Sequence, residues 1–359
     1  MTLRWPSDDD LEAIWEQCQD AEMQRWTTIP VPYSRDDARM FVRHLVPGAW
    51  ATGDGWTFAI EAEGRFVGSV SLRNLGAGRA ELGYGAHPWA RGRGLMARAV
   101  RLLLEWGFLE RDLRSVLWQA DRGNWASRRL AWRVGFTHDG LVRDALPRRD
   151  GLADAWVGTL RRGEEMTPRT PWLDVPVVRH PDVVLRPVQP ADLPRIVEVR
   201  SDPEVQHWLQ GHRESAPHTL ASNAQFVDDR LEAAASGTGL DWAVADPMTD
   251  EYLGQVTLTG LVHRREAELA YWAHQDARGR GLTRTAAGLA VRHCFVPWED
   301  GGLGLHRLRA EAADGNDSSH RLLRHLGFTR TGVSRQDTLL PDGSRADSVT
   351  YDLLATDLD

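Results

Sequence analysis

The sequence predicts an α/β chain of the α+β kind, built from two copies of one domain. Three observations carry this. The stretch ELGYGAHPWARGRGLM at 81–96 returns as ELAYWAHQDARGRGLT at 268–283, identical at 11 of 16 positions without a gap. Around it, runs that alternate apolar and polar residues and runs with apolar residues at helical spacing follow one another in the same order in both halves. A length of 359 residues exceeds what one core ordinarily organises and suits two domains.

The repetition extends beyond the opening match. Leu3-Arg4 corresponds to Leu185-Arg186, and DAEMQRW ending at Trp26 to DPEVQHW ending at Trp208, both at an offset of 182. NWASRRLAWRVGF at 124–136 corresponds to NDSSHRLLRHLGF at 316–328, at an offset of 192. Each copy begins with a short strand, 2–6 or 183–188, and a helix opened by acidic caps, 8–20 or 190–200. A second helix is expected near 34–46 and 218–235. Three alternating strands follow, at 56–62, 66–73 and 80–87, and at 241–246, 252–259 and 267–274. Then come a helix over 93–110 or 280–296, a strand at 115–120 or 307–312, and a helix at 125–133 or 317–326. Two closing strands turn on Asp-Gly pairs, 137–144 with 153–161 and 328–338 with 346–354. Four prolines, Pro168, Pro171, Pro176 and Pro181, exclude a long helix from 162–182, so an extended surface linker is expected between an N-terminal domain, 1–161, and a C-terminal domain, 183–359.

Composition narrows the function classes. Hydrophobic residues make up 42% and charged residues 26%, as in a soluble globular protein. No apolar run approaches about 18 residues and the start lacks an apolar leader, so neither membrane insertion nor export is expected. Cys18 and Cys294 fall in separate copies with no metal-ligand spacing; a reducing cytoplasm is the simplest location and no metal is implied. Residues 1–165 hold 23 Arg and 23 acidic residues, whereas 166–359 hold 20 Arg and 28 acidic residues, a net −8. That excess disfavours nucleic acid as a partner and suits a cationic one, or is simply a solvated acidic surface. Lysine is absent, so no lysine side chain can serve as an acceptor or Schiff-base former.

The repeated stretch reads as strand, glycine turn, helix. Leu82, Tyr84 and Ala86 share one strand face. Gly92 and Gly94, with Gly279 and Gly281 in the second copy, can take positive φ and leave backbone N–H groups free to converge on an oxyanion. The helix that follows adds unpaired N–H donors and about half a positive charge. Arg91, Arg93, Arg278 and Arg280 stand at the rim for phosphate oxygens. A P-loop is excluded, because the Lys-Ser/Thr that must follow it is missing.

Several side chains around the cradle could carry chemistry. Glu81 and Glu268 open the strand that feeds it; each is either a base acting directly or through a water, or an ordinary strand glutamate paired with a neighbouring Arg. Asn124 with Ser127, and Asn316 with Ser319, read as helix caps or as a hydrogen-bonding amide beside a proton-donating hydroxyl. Trp26 and Trp208 are core residues or walls of an acceptor pocket. His87 and His274 are candidate bases, although their place before the turn points to backbone contacts. No Ser-His-Asp, Cys-His or zinc pattern is present.

With these residues in view, each half resembles a GNAT-superfamily N-acetyltransferase of the RimJ/RimL-like branch. That family's pyrophosphate loop reads Gln/Arg-x-x-Gly-x-Gly/Ala. Arg91-Gly92-Arg93-Gly94-Leu95-Met96 and Arg278-Gly279-Arg280-Gly281-Leu282-Thr283 match its first five positions and depart at Met96 and Thr283. Ala-Glu-Leu at Glu81 and Glu268 looks like the family's general-base strand, and Asn-x-x-Ser followed by Gly135-Phe136 or Gly327-Phe328 like its later helix. The resemblance covers nearly all of both halves.

The resemblance implies two GNAT-fold domains, each a mixed, mostly antiparallel sheet splayed between its fourth and fifth strands. It implies acetyl-CoA as acyl donor, held by the cradle, by Ala86 and Ala273 with the adjoining histidines, and by Asn124 and Asn316. Glu81 and Glu268 would be bases, Ser127 and Ser319 acids. An alkyl ammonium has a pKa of about 10.4, so a base must deprotonate it before it attacks the thioester. The acceptor would be a small-molecule or peptide primary amine, the transfer direct in a ternary complex, and a homodimer is possible. From the binding class, the alternative is an acyl-CoA sensor, or one catalytic and one regulatory half.

Overall fold

A computed structural model describes residues 1–208 and 217–358. The chain divides into two compact units, Met1–Arg169 and Thr170–Asp359. The first unit runs β1 (Thr2–Arg4), α1 (Leu11–Gln19), α2 (Ala21–Trp26), α3 (Arg35–Met40), α4 (Val46–Thr52), β2 (Gly55–Ala62), β3 (Arg65–Gly76), β4 (Arg79–Ala86), α5 (Leu95–Glu110), β5 (Ser115–Asp121), α6 (Trp125–Val134), β6 (Gly140–Arg148) and β7 (Gly151–Arg161). The second runs β8 (Val178–Arg179), β9 (Val184–Pro187), α7 (Leu193–Ser201), α8 (Pro203–Trp208), α9 (Phe226–Ala235), β10 (Leu240–Ala245), β11 (Tyr252–Val262), β12 (Glu266–Ala273), α10 (Leu282–Phe295), β13 (Arg307–Ala313), α11 (Asp317–His325), β14 (Thr329–Leu339) and β15 (Arg345–Leu354).

Each unit is one mixed sheet flanked by helices. The strand orders are β1-β2-β3-β4-β5-β7-β6 and β14-β15-β13-β12-β11-β10-β9-β8. Every pairing is antiparallel except β4 with β5 and β12 with β13. Those two ladders are short: Arg79–Glu81 pairs Ser115–Leu117, and Glu266–Glu268 pairs Arg307–Arg309, after which the strands part. The sheet therefore opens at the strand positions that the resemblance implies. Packing behind it is aliphatic and aromatic: Leu103, Leu104, Trp118 and Trp156 are buried in the first unit, and Leu185, Trp242 and Leu308 in the second. Each such side chain contributes about 1.5–3 kcal/mol by leaving water.

The matching Leu-Arg pairs at the head of each copy have a structural cause. Arg186 donates from both terminal nitrogens to the Asp192 carboxylate, 2.8 Å each, and from Nε to Asp250, 2.7 Å. Arg4 does the same to Asp10, at 2.7 and 2.6 Å, and to Glu61, 2.6 Å. The first strand is thereby bolted to the turn that starts the first helix, and the same carboxylates accept the Ser7 and Gln189 N–H groups, 2.9 Å each. Burial alone would raise the Asp10 carboxyl, but Arg4 and the Ser7 N–H outweigh it and hold it below the usual range.

Three expectations are corrected. The acidic stretches 20–26 and 202–208 contain separate short helices, α2 and α8; in the first copy the Asp20 side chain caps α2 through Met23 N, 2.9 Å. The second helix of copy two begins at Phe226 rather than 218, residues 220–225 forming turns. Residues 162–182 are also more than a surface tether. Leu173 is 5% exposed within the second core, the Pro176 carbonyl accepts from Trp242 Nε1 at 3.0 Å, and Val178–Arg179 adds an edge strand.

Arg186→Ala strands the Asp192 carboxylate, 3% exposed, without its cation. A loss of about 3–5 kcal/mol is expected, read from urea unfolding followed by far-UV circular dichroism. For Arg4→Ala the deficit is expected to depend on pH. A depressed carboxyl contributes stability above its unfolded pKa that is lost as pH falls through its folded value, so the variant and wild-type curves should converge in acid.

Candidate functional site

The glycine cradle forms as the sequence suggests, through backbone angle rather than crowding. Gly92 and Gly94 adopt φ of +74° and +71°, Gly279 and Gly281 of +72° and +76°. A Cβ at Gly92 would meet nothing within 4 Å, so the left-handed conformation alone calls for glycine there. The first bonds closing the following helices are Arg98 N to Gly94 O, 3.3 Å, and Thr285 N to Gly281 O, 3.1 Å. N–H groups of Leu95–Ala97 and of Leu282–Arg284 precede those bonds and point out of the helix start.

The arginines are largely committed within the protein. Arg91 pairs with Asp20 and also donates to the Ala86 carbonyl at 3.3 Å. Arg278 pairs with Asp202, 2.5 Å, and Glu204, 2.7 Å, and lies 3.5 Å from the Ala273 carbonyl. This explains the repeated acidic stretch: it clamps the cradle to α1–α2 and to α7–α8. Arg93 binds Glu63 at 2.7 Å, while Arg280 donates to the Asp276 carbonyl at 3.2 Å. The backbone is thus the larger part of what the cradle offers an anion.

His274 is locked. It is 1% exposed, its Nδ1 accepts from Asp276 N at 3.2 Å, and its Nε2 lies 2.8 Å from Glu198. An accepting Nδ1 places the proton on Nε2, which donates to the carboxylate. His87 lies 3.5 Å from Glu16. Through their main chains both histidines fasten the turn to the neighbouring strand, His87 N to Val67 O at 2.8 Å and His274 N to Leu253 O at 2.9 Å.

In the first unit one cavity of about 510 Å³ joins the cradle to the splay. Gly92, Gly94, Arg91, Leu95, Met96, Ala86, Asn124, Ser127 and Trp26 all line it; Glu81, His87 and Arg93 do not. Asn124 Oδ1 caps α6 by accepting from Ser127 N at 3.1 Å, as Asn316 Oδ1 does from Ser319 N at 3.2 Å. The capping reading holds for the carbonyl oxygen, and the same amide keeps its Nδ2 donors. Trp26 lies 3.8 Å from where a Gly123 Cβ would sit, and Trp208 3.7 Å from the same point at Gly315, so each spans from the short helix to the turn before the asparagine.

The residue that sequence reasoning passed over is Tyr84, with Tyr271 its counterpart. Its hydroxyl is 2.5 Å from Ser127 Oγ, and Trp118 Nε1 donates to both, 3.0 Å to the serine and 3.2 Å to the tyrosine. With Trp118 filling one serine lone pair, the Ser127 hydroxyl can donate to Tyr84 Oη, which leaves the tyrosine O–H to donate elsewhere. Burial raises the Tyr84 phenol, and it pushes Tyr271 up to about 12 against the hydrogen bond from Ser319. The signal was present: Tyr occupies the same place in both repeats, three residues after the glutamate and hence on the other strand face.

Glu81 occupies the opposite face and pairs with Arg73, which stands directly across β3–β4. Base and acid candidates are therefore separated by the sheet and meet only through the gap between β4 and β5. In the second unit a cavity of about 630 Å³ opens on the Glu268 side, lined by Phe226, Arg230, Thr257, Thr259, Ala270 and Trp272. Among the described residues no group of three or more His, Cys, Asp or Glu is placed to hold a metal ion, and no helix is long and apolar enough to cross a membrane.

A family model for an acetyltransferase (GNAT) domain matches residues 1–137 and again 182–329. The chain belongs to the GNAT acetyltransferase family. It is an acetyltransferase with two copies of the GNAT domain, and its relatives align with about half of it. YdaF of Bacillus subtilis (strain 168), provisionally named a ribosomal N-acetyltransferase, is 36% identical over 181 residues, 48% of this chain and 91% of that protein. YoaA of the same strain, an uncharacterized N-acetyltransferase, is 24% identical over 181 residues, 50% of this chain and 97% of its own. The solved structure of Mycobacterium smegmatis RimJ in complex with CoA-disulfide is 25% identical and covers 52% of this chain and 90% of its own, with a TM-score of 0.45.

Asp20→Ala removes the α2 cap and the Arg91 partner together. A loss of about 1–2 kcal/mol is expected in thermal unfolding. Burial works against ionisation of Asp20, but Arg91 and the α2 N–H groups hold its carboxyl below the usual range. The wild-type advantage should therefore be present above the unfolded carboxyl pKa and fade as pH falls through the folded value.

Proposed function

We propose that this GNAT protein is an acetyl-CoA-dependent N-acetyltransferase acting on a primary amine, of a small molecule or a peptide N-terminus, by direct transfer in a ternary complex. The observation that carries the reading is the first-unit cavity, lined by a positive-φ glycine cradle and a half-buried Tyr–Ser hydroxyl pair along one splayed strand junction. The relatives' names agree with this chemistry.

The residues divide the work as follows. Backbone N–H groups of Gly92–Ala97 and Gly279–Arg284 receive the pyrophosphate of the donor. Past Glu81 and Leu117 the edges of β4 and β5 have no ladder to each other, leaving main-chain donors and acceptors for the amides of an extended pantetheine arm, with Asn124 Nδ2 beside them. A strand N–H at the gap polarises the thioester carbonyl. Glu81 or Glu268, on the far face, takes the proton of the attacking ammonium through a water. The amine nitrogen bonds to the acyl carbon and the carbon–sulfur bond breaks. Tyr84 with Ser127, or Tyr271 with Ser319, then protonates the departing thiolate. No covalent enzyme intermediate is needed. The site residues, a cytoplasmic location and any homodimer belong to this proposal.

Calorimetric titration of acetyl-CoA into the full chain is expected to show two sites. Gly92→Ala and Gly279→Ala each force a side chain into the left-handed region, a strain of about 1–2 kcal/mol, and each is expected to weaken its own site about tenfold. Absence of binding heat would overturn the reading. The double variant Tyr84→Phe, Tyr271→Phe is expected to lower kcat at least about 10²-fold in a thiol-release assay with little change in acetyl-CoA affinity.

A further inference from the structure

The two units are alike on the donor side and differ on the acceptor side, and the difference concentrates at one position. Sheet register puts Arg73 directly across from Glu81, and Thr259 directly across from Glu268. Arg73 is two-thirds exposed and its guanidinium is paired with the Glu81 carboxylate. Thr259 carries no charge, and Glu268 has no ion-pair partner among the described residues. The arginines of the neighbouring strand are drawn elsewhere: Arg307 donates to Glu266 at 2.5 Å and Arg309 lies 3.5 Å from that same carboxylate.

The next strand sets neutral residues beside Glu81 and one charge of each sign beside Glu268, the cation being turned toward Glu266. Glu81 pairs in register with Leu117 and Glu268 with Arg309, and two residues on stand Gln119 in the first unit and Glu311 in the second. Burial, with Glu268 and Asp337 nearby, raises the Glu311 carboxyl, while Arg309 opposes the shift. The 630 Å³ cavity includes Thr259 itself and runs along the Glu268 face.

We propose that Arg73 is a specificity-determining residue that closes the first unit to ammonium acceptors, and that the second unit, with Thr259 in that place, is the one that takes the amine. This rests on the acetyltransferase reading above. Two physical effects act together. A guanidinium at the carboxylate occupies the oxygens that must receive the proton, and its charge repels an incoming ammonium. Thr259 does neither, so Glu268 can meet the ammonium and accept its proton, directly or through a water. The acceptor class is accordingly a primary ammonium with no anionic group next to the nitrogen, since Glu268 and Glu311 would repel a neighbouring carboxylate.

The test is free-thiol release from acetyl-CoA by the full chain, offered butylamine, putrescine, a dipeptide amide and glycine. Wild type is expected to turn over one or more of the first three and to disfavour glycine. Glu268→Gln should lower kcat/KM at least 100-fold. Adding Arg73→Thr to that variant should raise turnover at least tenfold as the first unit opens. Thr259→Arg, against Thr259→Val as an uncharged control, should raise the amine KM at least tenfold while calorimetry shows unchanged acetyl-CoA binding, which also certifies the fold. Turnover that survives Glu268→Gln, or an Arg73→Thr, Glu268→Gln chain no faster than Glu268→Gln alone, overturns the assignment and leaves the acetyltransferase reading standing. Acetyl-CoA binding with no turnover of any amine overturns both.

Discussion

The structure depends on a ladder that stops. In each unit one parallel strand pair is held for three residues and then released, and an open sheet edge is costly unless something satisfies its backbone groups. What keeps the gap from zipping shut is distributed around it. The helix after β4 starts at a left-handed glycine that turns the chain sharply away, and the turn after β5 ends at Asn124 or Asn316, whose side chain caps the next helix. Trp26 and Trp208 reach over the far end of the gap. The gap is thus a built feature, and the donor-side residues are arranged along it.

Ion pairs, two local and two between distant parts of the sequence, hold the surroundings in place. Arg186 to Asp192 and Arg4 to Asp10 fix the first strand to the first helix, and Arg278 to Asp202 and Arg91 to Asp20 fix the cradle to the second. The more buried of these are specific rather than strongly stabilising, because desolvation offsets most of the attraction; their partners, once stranded, are expensive. Their recurrence in both copies shows that duplication carried the scaffold over, while the strand faces around Glu81 and Glu268 differ in charge.

Glu81 and Tyr84, the proton-transfer groups of the proposed reaction, lie on opposite faces of one strand because of period-two geometry. Glu81 and Tyr84 are three residues apart, so one faces away from the other, and chemistry that joins them must pass through the opening. In the proposed reaction that arrangement keeps the carboxylate of Glu81 apart from the Tyr84–Ser127 hydroxyl pair.

By itself the sequence determined the duplication, the order of elements, the glycine cradle and the alternating faces of the strands. All of these are local: a positive φ needs glycine, a strand alternates every residue, and an Asn starts a helix, whatever lies elsewhere. It left the short helices α2 and α8 unread, since six residues hold too few apolar positions to show a helical period. Only the tertiary structure decided which charges meet. Arg91 reaches a carboxylate 71 residues away and Tyr84 a hydroxyl 43 residues away, distances that spacing along the chain does not encode. Arg73 and Glu81 are eight residues apart, yet their pairing depends on the register of a hairpin with an irregularity at its turn, and a one-residue slip would have put them on opposite faces.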